Sequence, residues 1–342
     1  MPNGTRYYNG PVSAHFDGVR FFNPGHPTTD RSLREMLRWK FGEKPARWPK
    51  SIPGHQVIPE ACVEGLRVTM VGHATLLIQA PGLNVLTDPL GSHRASPVTF
   101  VGPSRMTQPG IEFTNLPKID VVLLSHNHYD HFDVSTLQHL HNDHRPLIVT
   151  PLGNDTILRH AIPDAQVVTG DWGDRIALGG GADVHIVPAY HWSARGMGDR
   201  RMALWGGFML KTQGKLLYFS GDTGYGDGAI FRSMRERFGP TDIALLPIGG
   251  YAPQWFMASQ HINPEEAVRI MIDLDARQAI GIHWGDFQLT NEDREAPPTL
   301  LRRALHERAI EQSRFPAASA GDIFNFPITD GLQDSTPYFQ AG

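Results

Sequence analysis

Three imidazoles and a carboxylate fall within six residues: His126, His128, Asp130 and His131 stand in Ser125-His126-Asn127-His128-Tyr129-Asp130-His131. The unbroken apolar run Val121-Val122-Leu123-Leu124 leads into them and reads as a strand buried on both faces. Asp133 is a good helix N-cap, so a helix is expected from Val134 to Leu140. The cluster therefore sits on a strand-to-helix loop. In extended backbone the side chains at i and i+2 point the same way, so His126 and His128 can face one point. Asp130 and His131, from the turn beyond, can face a second. Neutral imidazole and carboxylate oxygen are ligands that Zn²⁺ accepts. Four such groups gathered in an interior without a cation would leave costly unpaired polar atoms. The spacing is not the zincin pair of histidines at helical i, i+4 around a Glu.

The rest of the chain must build a scaffold around that loop. Its 342 residues, 40% hydrophobic, allow one large domain or two small ones. A single cysteine, Cys62, excludes an intrachain disulfide and a cysteine-based zinc site. A net charge of −4 gives no basic surface for nucleic acid. The first residues lack a signal-peptide pattern, and no run approaches the roughly 18 apolar residues of a membrane span. A cytoplasmic protein is expected; peripheral membrane contact and homodimerisation are left open.

Residues 1–60 read as an arm, punctuated by Asn9-Gly10-Pro11, Asn23-Pro24-Gly25 and Pro53-Gly54. One helix is expected there, from an Asp30 N-cap to Phe41, and the aromatic residues of the arm are expected to pack on a main domain at 61–342. Strands are expected at 66–71, 75–79 and 84–88, with a Pro81-Gly82 turn between the last two. A long irregular insertion follows at 90–118. Further strands are expected at 147–150, 166–169, 182–188, 203–211, 215–220, 243–247, 279–282 and 322–326. Asn263-Pro264-Glu265-Glu266 opens a helix to about Leu274 with cap, first-turn proline and capping-box glutamate in place. Another helix is expected from Pro298 to Ala309. His139, His141 and His144 fall near a helix end and are read as solvated. His191, Asp222 and His283 each follow an expected strand, which is where layered α/β folds collect their sites.

This text resembles the metallo-β-lactamase superfamily and, within it, the N-acylphosphatidylethanolamine-hydrolysing phospholipase D family in its bacterial type. The resemblance rests on Val71-Gly72-His73-Ala74-Thr75, Leu86-Thr87-Asp88-Pro89, Arg94-Ala95-Ser96-Pro97, Ser125 to His131, Gly221-Asp222-Thr223-Gly224-Tyr225, His261-Ile262-Asn263-Pro264-Glu265-Glu266-Ala267 and Ile282-His283-Trp284-Gly285. It implies an α/β four-layer αββα sandwich with two metals at one sheet edge. It implies one Zn²⁺ on His126, His128 and His191, a second on Asp130, His131 and His283, and a bridging Asp222. Asp130, Asp222 and His261 are the implied catalytic residues, with His261 near the phosphate or acting as an acid. His73 and Asp88 are implied as residues that orient the ligands.

Two adjacent metals suit phosphodiester hydrolysis, because they can share an acidified water and clamp a phosphoryl group. The family substrate would make the partner a phospholipid, an N-acyl phosphatidylethanolamine or a related phosphodiester. Val98, Phe100, Val101, Met106, Trp192, Tyr251, Trp255, Phe256 and Met257 are candidates for an acyl-chain groove, against ordinary loop packing. The main alternative is a metal-dependent lactonase of the ascorbate-phosphate lactonase type on the same site, since fold does not fix substrate. A diiron redox role is disfavoured by His128 where such relatives carry Glu. A non-catalytic metal scaffold is disfavoured by the complete ligand set.

Overall fold

Apolar runs and alternation set the strands, and the side chains of β-structure then decide which layer each one faces. A computed structural model of the chain describes residues 6–196 and 198–326. Among these the strands are β1 (Leu66–Gly72), β2 (Thr75–Ala80), β3 (Leu83–Thr87), β4 (Val121–Leu123), β5 (Leu147–Pro151), β6 (Gln166–Gly170), β7 (Arg175–Gly179), β8 (Ala182–Val187), β9 (Gly207–Thr212), β10 (Lys215–Phe219), β11 (Ile243–Pro247), β12 (Gln278–Ile282) and β13 (Ile323–Phe326). The helices are α1 (Leu33–Gly42), α2 (Val134–His144), α3 (Asn154–Ala161), α4 (Ala229–Phe238), α5 (Gln254–Met257), α6 (Pro264–Asp273) and α7 (Ala296–Glu307).

The strands form two sheets, in the orders β13-β1-β2-β3-β4-β5-β6 and β12-β11-β10-β9-β8-β7. Successive residues of β2 serve different layers: Leu76 and Ile78 face the second sheet, while Leu77 faces outward. One core joins the sheets, with Val68, Leu76, Val121 and Leu123 meeting Val184, Phe208, Leu217 and Leu245. On the outer face of the first sheet, Leu86, Val122 and Ile148 pack under Leu137, Leu140 and Leu158 of α2 and α3. On the outer face of the second, Tyr218, Ala244 and Leu246 pack under Phe231, Val268, Met271 and Leu301 of α4, α6 and α7. The result is the four-layer αββα arrangement.

β1, β3 and β4 run parallel to one another within their sheet, as do β8, β10, β11 and β12 in theirs. Their C-terminal ends therefore share an edge in each sheet. In the arm, Phe16 and Phe21 are buried against Ala189, Leu204 and Trp205, and Trp39 stacks on Phe256 with centroids 5.0 Å apart.

Several boundaries differ from expectation. α1 starts two residues later than read, because Ser32 caps it in a capping box with Glu35. The Asp30 carboxylate is instead taken by Arg200 and Arg201, at 2.7 and 2.6 Å. α7 begins at Ala296 rather than Pro298, with its two prolines in the first turn, where a missing N–H costs nothing. β9 begins at Gly207, so Ala203 to Gly206 lie outside the strand. β7, α3, α4 and the single turn α5 were not anticipated. His141 is buried rather than solvated, its Nε2 lying 3.1 Å from Asp164.

Candidate metal centre

Six strand ends supply the site, three from each sheet. His73 follows β1, Asp88 follows β3, and the loop 126–131 follows β4; His191, Asp222 and His283 follow β8, β10 and β12. His261 comes from the loop between α5 and α6. His73, Asp88 and His283 all take positive φ (55°, 32° and 59°), a conformation that L-residues adopt at a cost and that recurs at functional sites. Gly221 makes the approach of Asp222 feasible: a Cβ there would lie 2.7 Å from the Cβ of Ser125.

The side chains gather into two adjoining groups. In the first, His126 Nε2 lies 2.9 Å from His128 Nδ1, and His191 Nε2 lies 3.2 Å from the same atom. In the second, His131 Nε2 lies 3.3 Å from His283 Nε2, and Asp130 Oδ2 lies 3.3 and 3.5 Å from those two nitrogens. Asp222 stands between the groups. Its Oδ2 is 3.2 Å from His131 Nε2 and 3.8 and 3.9 Å from His191 and His126 Nε2, while its Oδ1 is 3.2 Å from His283 Nε2. His261 Nδ1 is 3.7 Å from Asp222 Oδ2. His73 Nε2 is 3.1 Å from Asp130 Oδ2, so His73 touches the second group directly and is not merely behind it.

The outer nitrogens fix the tautomers. His131 Nδ1 donates to Asp88 Oδ2 at 2.7 Å, and His191 Nδ1 donates to the carbonyl of Gln260 at 2.9 Å. Ser125 Oγ donates to Asp88 Oδ2 and accepts from His126 Nδ1 at 2.9 Å. Each bond places a proton on the outer nitrogen and aims the Nε2 lone pair inward. Several inward lone pairs and two carboxylates within a few ångströms repel one another unless a positive charge sits among them.

The electrostatics agree with that requirement. Burial, reinforced by the neighbouring histidines, lowers His126 well below its ordinary value. Burial likewise brings His128 down to about 4. Burial opposes ionisation of Asp222 and Asp130, but the surrounding histidines outweigh it and hold both carboxyls well below the usual range. Burial also opposes a proton on His131, yet Asp222 and Asp130 raise it well above its ordinary value. Imidazoles around paired carboxylates are a donor set that a divalent metal accepts, its charge taking the place of the proton that His131 otherwise attracts. His261 Nδ1 and Asp222 Oδ1, both turned into the cluster, are buried and make no hydrogen bond among the described residues, although His283 Nε2 lies 3.2 Å from Asp222 Oδ1, so the cluster does not fully satisfy itself.

All seven expected ligand residues converge here, with His261 beside them. Sequence reading missed the parts that hold them. Arg195 donates to the carbonyls of Asn127 and Phe132 and lies over the Tyr129 ring, bracing the 126–131 loop. Asp286 accepts from the His73 N–H and from Thr107. The Gln260 carbonyl could not be read from any side-chain pattern. Of the candidate groove residues, Tyr251, Phe256 and Met257 are buried, while Phe100 and Val101 are exposed. Val98 lines a 360 Å³ cleft with Ser92, Arg94, Tyr129 and Arg195, between the insertion and the metal loop.

Comparison with known proteins agrees with this arrangement. The model of the β-lactamase superfamily domain matches residues 83–284. N-acyl-phosphatidylethanolamine-hydrolyzing phospholipase D 1 of Caenorhabditis elegans is 34% identical over 270 residues, covering 76% of each chain. The mitochondrial N-acyl-phosphatidylethanolamine-hydrolyzing phospholipase D of Saccharomyces cerevisiae is 38% identical over 216 residues, 62% of this chain and 46% of the yeast protein. Among solved structures, the metallo hydrolase Igni18 of Ignicoccus hospitalis superposes with a TM-score of 0.59 at 18% identity, covering 78% of this chain and all of that one. That likeness is one of fold.

Proposed function

This chain belongs to the metallo-β-lactamase superfamily of metal-dependent hydrolases, and on that premise we propose that it is a two-zinc phosphodiesterase of phospholipase D type acting on N-acyl phosphatidylethanolamine-like lipids. The observation that carries the proposal is Asp222, whose two oxygens reach both histidine groups at once. His126, His128 and His191 would hold one zinc, Asp130, His131 and His283 the other, and Asp222 would serve both. Two zinc ions, when bound, supply a water acidified toward neutral pH and positive charge facing the phosphoryl oxygens.

The chain's own groups do the rest. Asp222 and Asp130 orient the attacking water toward phosphorus. Asp88, Ser125 and Gln260 keep three imidazoles in the tautomer that faces the site. His261, partly open to solvent and 3.7 Å from Asp222, stands where its ring can bond a phosphate oxygen or hand a proton to the leaving oxygen. The phosphorus–oxygen bond to the ethanolamine side breaks, giving an N-acylethanolamine and phosphatidic acid. The substrate class is supported by the two phospholipase D relatives.

The deciding experiment pairs zinc content per chain, by elemental analysis, with assays on an N-acyl phosphatidylethanolamine, simple phosphodiesters and lactones. Two zinc ions and release of N-acylethanolamine are expected. Full activity with fewer than two metals would refute the shared-carboxylate mechanism. Lactone turnover with no phosphodiesterase activity in zinc-loaded protein would refute the substrate.

A further inference from the structure

α1 faces the wrong way for a helix of a globular protein. Its inward contact comes from Trp39, stacked on Phe256, and from Arg31 just before the Ser32 cap. Its outward side carries Leu33, Leu37 and Phe41 at i, i+4 and i+8, with Met36 beside them. Leu33 is 73% exposed and Phe41 is 76% exposed, and Trp255 of α5 adds a further exposed ring nearby, with Arg38 lying 4.5 Å over it. A row of large apolar side chains turned outward at helical spacing is costly in water and is the mark of a surface that is covered in use.

The charge around the row indicates what covers it. From Arg31 to Lys50 the sequence holds seven Lys or Arg and two Glu, a net +5 in a chain of net −4. Arg34, Arg38, Lys44, Arg47 and Lys50 are exposed. Apolar side chains flanked by cations match the interface of an anionic bilayer, where the former enter the acyl boundary and the latter meet the phosphates. Among the described residues no helix is long and apolar enough to cross a membrane, so this contact would be peripheral.

The helix is also tied to the site. Trp39 stacks on Phe256, and Arg31 donates to the Phe256 carbonyl and to Ser259 Oγ, at 2.5 and 2.9 Å. Those residues lead directly to His261. We propose that α1, with Trp255, is an interfacial docking surface that seats the protein on anionic phospholipid and holds the His261 loop against that surface. The docking itself is independent of the phosphodiesterase reading; only the view that the surface also supplies the substrate rests on it.

The test is co-sedimentation of the zinc-loaded full chain with phosphatidylcholine vesicles, with and without phosphatidylglycerol. Two variants accompany it: Leu33→Gln/Leu37→Gln/Phe41→Gln, which keeps helix propensity, and Arg34→Glu/Arg38→Glu. Binding to the anionic vesicles, weakened by added salt and reduced about tenfold or more in each variant, is the expected result. A protein that stays in the supernatant with both vesicle types overturns the proposal, as does a triple variant that binds like the parent. A dimeric parent and monomeric triple variant, neither binding vesicles, would assign the face to a second copy and also overturn it. Turnover of a water-soluble phosphodiester, unchanged in both variants, reports separately on the catalytic reading.

Discussion

Asp88 Oδ2 accepts a hydrogen bond from His131 Nδ1 at 2.7 Å, and both side chains are sealed from solvent. The same carboxylate takes Ser125 through its hydroxyl and its backbone N–H, so one buried group orients two neighbouring site residues. Asp88→Asn keeps the shape but places an amide where acceptors are required. Zinc affinity is expected to fall about 10–100-fold with the fold retained. Competition with a chromophoric chelator measures it; an unchanged affinity would remove Asp88 from the orienting role.

His128 offers Nδ1 to the first group, within 2.9 Å of His126 Nε2. His128→Ala should lose zinc and activity together, leaving about one metal per chain. Elemental analysis of the purified variant decides this. Full activity would overturn the ligand assignment. Chelation of the parent with EDTA should abolish turnover, and zinc should restore it.

Gly250 has φ 82°, and a Cβ there would lie 3.3 Å from His261 Nδ1 and 3.4 Å from His283 Cε1. Gly250→Ala forces a side chain into a left-handed backbone at about 1–2 kcal/mol and crowds both rings. A lower melting temperature and a larger fall in kcat than in zinc content are expected. Parent-like kcat would show that the His261 position tolerates displacement.

Phe21 is buried against Phe16, with ring centroids 4.5 Å apart, beneath the Leu204–Trp205 segment. Phe21→Ala should cost about 3–5 kcal/mol in urea unfolding if the arm belongs to the cooperative unit. A change under about 1 kcal/mol would make the arm an independent appendage.

Much of this architecture can be read from local signals. Asn263, Pro264 and Glu266 announce α6 because cap, first-turn proline and reciprocal glutamate lie within four positions, and both capping bonds form. β4 is equally plain, since an apolar run before a polar loop has few other uses. α3 and α4 were missed because both start at a glycine, Gly153 and Gly228, with no side-chain cap to mark them. β7 escaped because it is an edge strand whose five residues alternate between exposed and half-buried. Asp30 misled because its carboxylate serves arginines 170 residues away. The candidate ligands were legible as residue types at strand ends. The bonds that aim them, from Arg195, Asp286 and the Gln260 carbonyl, exist only once distant segments meet.

His126 to His131 hang from one sheet, and His191, Asp222 and His283 from the other. A metal held by both sets would therefore be a rivet through the two halves of the sandwich, joining positions as far apart in the chain as 126 and 283. In a protein whose sole thiol is Cys62, that rivet would play the part a long-range disulfide plays in secreted domains. Metal occupancy is then expected to govern how far the sheets can part as well as whether substrate turns over.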